Sequence, residues 1–93
     1  MVTRLRYVGL DNGNLVSKEP IVANGDVLTV TLIPANLTYT IANAANGAVL
    51  DTGDAVSMQM LKIKAKRALR LRGAVFGDEV RSKAASSAEA VIL

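Results

Sequence analysis

Hydrophobic and polar positions alternate with period two through Val27–Ile33 (VLTVTLI). Leu28, Val30 and Leu32 fall on one side and Val27, Thr29, Thr31 and Ile33 on the other, as in a half-buried β-strand. The first set is the expected core face. Leu37–Ala42 (LTYTIA) repeats the pattern, with Leu37, Tyr39 and Ile41 set against Thr38 and Thr40. Asn43–Gly47 reads as a hairpin loop and Ala48–Leu50 as its return strand, with Asp51-Thr52-Gly53 leading onward. Upstream, Val2–Leu10 reads as a first strand, Asp11–Asn14 as a turn, and Leu15-Val16 as the start of a returning strand. Glu19-Pro20 breaks regular pairing, because proline has no N–H to donate. Ile21–Ala23 is a short apolar run, closed by the tight-turn tripeptide Asn24-Gly25-Asp26.

The periodicity changes after Gly53. Residues 55–72 contain no Gly, Pro, Asn or Asp, and strong helix formers fill them. The expected element is one long helix over about 55–72, capped by Asp54 with Asp51 and Thr52 as competing caps. Gly73 stands where a left-handed C-terminal cap belongs. At about 100° per residue, Met58, Leu61, Ala65, Ala68 and Leu69 share one face. Val56, Met60, Ile63 and Leu71 form a second, and Lys62, Lys66 and Arg70 make a ridge between them. A helix that covers a small sheet needs only one apolar face. The second face either meets something beyond the chain's own sheet, or is the margin of a wide core face beside buried lysine and arginine stems. Leu61–Lys66 and Leu69–Arg72 also alternate with period two, a rival strand reading; length and composition favour the helix.

These elements predict an α+β domain: a small antiparallel sheet or open barrel of four to six strands, packed against one long helix. The whole of 1–93 is read as a single domain, β-rich over 1–53, helical over 54–73, with an extended or weakly helical arm over 74–93. Only Tyr7, Tyr39 and Phe76 are aromatic, so the core is aliphatic. The net charge is +3, but it is unevenly spread. Residues 55–77 carry Lys62, Lys64, Lys66, Arg67, Arg70 and Arg72 and no carboxylate. No apolar run approaches the ~20 residues of a membrane span. The opening MVTRLRYVG lacks the apolar stretch of a signal peptide, so a soluble protein made in a cytoplasm is expected.

Little chemistry is on offer. With no cysteine and no histidine, disulfides, thiolate metal sites and the usual nucleophilic triads are excluded. A Ser57–Lys62 pair has no motif around it. Asp51 and Asp54 together are too few donors for a metal. No phosphate-binding glycine pattern occurs. The expectation is no enzymatic activity, no cofactor, no metal and no small-molecule substrate. Lys62, Lys66, Arg67 and Arg70 are the candidate basic surface, suited to a nucleic-acid backbone or to an acidic protein surface. Val56, Met60, Ile63 and Leu71, with Val91, Ile92 and Leu93 near the C-terminal end, are the candidate interface: more apolar surface than one small core absorbs.

Arg6-Tyr7-Val8-Gly9, a turn, an apolar patch and then Gly25-Asp26-Val27-Leu28-Thr29-Val30 is similar to the opening of many small tailed-phage structural proteins. Asn/Gly turns, Thr-rich strands and the absence of Cys and His share that style. The resemblance covers residues 6–30, and the basic helix lies outside it. It implies a short, β-rich, non-enzymatic virion component, made in the host cytoplasm, that decorates the capsid or joins head and tail. Its partners would be other copies of itself or a larger virion protein such as a major capsid protein. A small nucleic-acid-binding module using the basic helix is the alternative.

Overall fold

The alternating run at Val27–Ile33 becomes the centre of a sheet. In the computed structural model, which describes residues 5–74, strand β4 (Asp26–Ile33) buries Leu28, Val30 and Leu32 on one face. Strand β5 (Thr38–Asn43) pairs along one edge of it, placing Ile41 opposite Val30 and Tyr39 opposite Leu32. Leu37 takes a positive φ of 53° and closes the loop after Pro34. The strand therefore starts at Thr38, one residue later than the alternation predicts.

Along the other edge of β4 lie β2 (Leu15–Ser17) and β3 (Ile21–Ala23), one after the other. The ladder lapses between them at Pro20, and Ser17 Oγ there accepts a hydrogen bond from the Val30 N–H at 3.0 Å. A buried donor is thus satisfied where backbone pairing fails. Asn24 and Gly25, at φ 50° and 88°, make the two-residue turn from β3 to β4. Strand β1 (Tyr7–Gly9) flanks β2, shorter than the expected Val2–Leu10; residues 1–4 lie outside the described residues. Strand β6 (Val49–Asp54) flanks β5. The result is a six-stranded antiparallel sheet that does not close, with order β1-β2-β4-β5-β6 and β3 on β4.

The sequence places the start of the helix too early. Asp51, Thr52, Gly53 and Asp54 do not lead into it or cap it, because they pair with Ile41, Thr40, Tyr39 and Thr38 as strand β6. Cross-strand hydrogen bonds hold them extended, and a bulge at Leu50 shifts the register by one residue between Asp51 and Val49. Helix α1 spans Met58–Leu71, and its N-cap is Ser57, whose Oγ accepts from the Met60 N–H. Its other end is as predicted. Gly73, at φ 91°, donates to Arg70 O, and Ala74 N–H donates to Leu69 O. These are the paired bonds of a Schellman cap, with buried Ala74 packed at the helix end. The Asn24 side chain donates to Arg72 O at 2.8 Å, joining the β3–β4 turn to this cap.

The helix lays Leu61, Ala65, Ala68 and Leu69 on the sheet, with Met58 partly buried beside them. This is the first face read from the periodicity, and the rival strand reading of residues 61–72 fails. Leu61 and Leu69 are fully buried with Ile21, Leu28, Val30, Leu32 and Ile41, and among the described residues no charged side chain enters this core. The C-terminal arm beyond Ala74, including Val91, Ile92 and Leu93, lies outside the described residues.

Candidate functional site

Burying one stripe of α1 leaves the second apolar face outward. Val56, in the link before the helix, is 91% exposed, and Leu71, in its last turn, is 85% exposed. Met60 and Ile63 are also exposed. Four of the predicted interface residues therefore run along the outer crest of the helix, interleaved with exposed Arg67 and Arg70. The sequence between Ala55 and Ala74 carries no carboxylate.

The six cations of this segment do not act alike. Lys64 Nζ donates to Asp54 O, and Arg72 Nη2 donates to Leu50 O, each at 2.8 Å. Both acceptors are backbone carbonyls of β6, so these two residues fasten the helix to the edge strand. A cleft of about 320 Å³ between α1 and β6 is lined by Asp51 and Asp54 on one side and by Lys64 and Arg67 on the other. Tyr39 closes its floor. The Tyr39 phenol is held above its ordinary pKa, first by burial and then by the neighbouring Asp51 carboxylate, 3.4 Å from its hydroxyl. Gly53 is required here: a Cβ at that position would stand 2.4 Å from the Tyr39 ring.

The opposite flank of the helix is built differently. Lys62, Ile63 and Lys66 face Leu5, Arg6 and Tyr7 from the β1 side and Leu15 from β2 across a groove of about 640 Å³. Its walls are largely apolar, and among the described residues no carboxylate lines it. Arg6 pairs with Glu19, and Lys62 and Lys66 line the helix side of the groove. The Tyr7 hydroxyl is buried with no hydrogen-bond partner among the described residues, and burial pushes this phenol above its ordinary pKa. Periodicity reads Lys62, Lys66 and Arg70 as one ridge; the structure sets Lys62 and Lys66 on this flank, while Arg70 is exposed toward the crest. The groove itself was not legible, because Leu5, Tyr7 and Leu15 meet the helix only through the sheet register.

The residues weighed for chemistry have structural work. The Ser57 hydroxyl caps the helix. Asp51 and Asp54 face cations across the β6 cleft, and among the described residues no three His, Cys, Asp or Glu side chains gather as a metal site. No helix of the described residues is long and apolar enough to cross a membrane. Compared with known proteins, the chain matches no protein family, no curated protein and no solved structure.

Proposed function

We propose that this chain is a non-enzymatic assembly protein that works by burying the outer crest of α1 against another protein. The observation that carries the reading is the exposure of Val56 and Leu71, with Met60 and Ile63 between them, on a helix whose other face already fills the core. Burying a side chain of this size stabilises by roughly 1.5–3 kcal/mol, so the four residues together contribute toward offsetting the cost of association. Arg67 and Arg70 on the same crest suit a carboxylate-bearing rim, and Met and Arg are favoured interface residues. The likeness of residues 6–30 to tailed-phage structural proteins supports a virion setting, as capsid cement or a head–tail part. The partner would then be another copy or a larger capsid protein.

Light scattering after size exclusion tests this over a concentration series. A mass above the 9.8 kDa of one chain is expected, falling to monomer in Val56→Asp/Leu71→Asp with an unchanged circular-dichroism spectrum. A monomer at every concentration, which also fails to join capsid-type particles, overturns the proposal.

A second reading, nucleic-acid binding, draws on exposed Lys62, Arg67 and Arg70 with half-buried Lys66. A phosphate backbone would leave Val56 and Leu71 in water, so the first reading is preferred. Duplex binding that weakens steeply with salt and is abolished in Lys66→Glu/Arg70→Glu would reverse that preference.

A further inference from the structure

We propose that Lys64 and Arg72 guard the β6 edge of the sheet, by occupying the carbonyls that an added strand would use. The strand they keep off is the β6 of a second copy. The inference stands apart from the assembly reading, which concerns side chains on the crest of the helix; here the surface is the backbone of β6.

Strand β6 is the last strand of the described sheet. Its pairing fixes which backbone groups lie on the side away from β5. Ala55 N–H donates to Leu37 O, and bonded and non-bonded pairs alternate along an antiparallel ladder. Gly53 and Asp51 therefore direct their N–H and C=O groups to Tyr39 and Ile41, whereas Asp54 and Thr52 direct theirs outward. A row of this kind is a template for another strand. Helix α1 takes two of its acceptors: Lys64 Nζ donates to Asp54 O and Arg72 Nη2 to Leu50 O, each at 2.8 Å.

The spacing of donors and acceptors matches. From Lys64 to Arg72 the helix rises by about 12 Å, and from Leu50 to Asp54 a strand covers about 13 Å. The two cations thus straddle the edge, with Thr52 between their acceptors. A two-fold pairing of β6 with the β6 of another copy, centred on Thr52, would set each Leu50 opposite the other's Asp54. In that pairing Leu50 O and Asp54 O are the acceptors flanking the centre, and both are already taken. The bulge at Leu50 further breaks the regularity a docking strand needs. Lysines and bulges are devices by which natural sheets resist edge-to-edge pairing.

Hydrogen exchange of the Thr52 and Asp54 amides, in the full chain, tests the guard. In the native protein both should exchange fast at every concentration; protection there overturns the proposal. Lys64→Met with Arg72→Met removes both donors and keeps long side chains. In this variant the two amides should slow by about tenfold between micromolar and millimolar protein, with a rise in mass by light scattering. Thr52→Pro on that background deletes the central donor where an edge strand tolerates proline, and should return the native mass. Lys18→Met with Lys62→Met removes the same charge away from β6 and should change neither readout. Amides that stay fast at millimolar concentration in a double variant folded by circular dichroism overturn the proposal. So does equal association of the Lys18/Lys62 variant, because loss of charge alone would then account for the effect. Should the double variant not fold, Lys64→Met alone, which loses one exposed side chain's bond, carries the same readout.

Discussion

The two flanks of α1 carry the same kinds of residue and use them for different ends. Along β6, Lys64 and Arg72 reach backbone carbonyls, Tyr39 approaches Asp51, and Gly53 lets the Tyr39 ring lie against the strand. That seam is fastened, and its charges are matched across the cleft. Along β1, Lys62 and Lys66 border an apolar groove lined by no carboxylate among the described residues, and none of those residues partners the buried Tyr7 hydroxyl. A lysine on one flank is a fastener and on the other borders an open groove. Charge along the chain therefore states only that the helix is basic. What each cation does depends on which strand it faces.

The largest effect should come from the row beneath both seams. Leu69→Ala removes a fully buried side chain and is expected to cost about 3 kcal/mol, read as a lower urea midpoint. Gly53→Ala strikes the β6 seam alone, forcing a Cβ into the Tyr39 ring. About 2 kcal/mol is expected, and a neutral result would show that this seam is looser than its geometry implies. Next come the cations as a matched pair. Arg72→Met should cost about 1 kcal/mol through the lost bond to Leu50 O, whereas Lys62→Met should stay within about 0.5 kcal/mol. Equal losses in thermal melts would erase the distinction between the flanks.

The smallest effects concern the two tyrosines. Tyr7→Phe deletes a buried hydroxyl that has no partner among the described residues, so stability should hold or rise by up to about 1 kcal/mol. Tyr7 also governs the alkaline limit. Burial raises its folded pKa above the unfolded value of about 10. Its contribution is fully present below about pH 10 and is lost as pH rises toward the folded value, because the unfolded chain ionises first. Tyr39 shifts the same way, through burial and Asp51. Melts from pH 8 to pH 12 should show the decline, reduced in Tyr7→Phe.

Much of the architecture could be read from the chain alone, because it follows from rules that act over a few residues. Strict alternation marked Leu28, Val30 and Leu32 as one face of a strand and Leu37, Tyr39 and Ile41 as one face of the next, and all of these but Leu37 are buried together. Asn24-Gly25 marked a turn that needs positive φ, and Gly73 marked the end of the helix. Spacing near 3.6 selected Met58, Leu61, Ala65, Ala68 and Leu69 as the inward face of α1 and left Val56, Met60, Ile63 and Leu71 over. The helix start was not legible. Asp51 and Asp54 are good caps in isolation, but pairing with β5 overrides them and leaves the cap to Ser57. Nor could the sequence separate Lys64 and Arg72 from Lys62 and Lys66. Those roles are set by carbonyls of β6 and side chains of β1 and β2, contacts with partners 10 to 59 positions away in the chain that no local periodicity encodes.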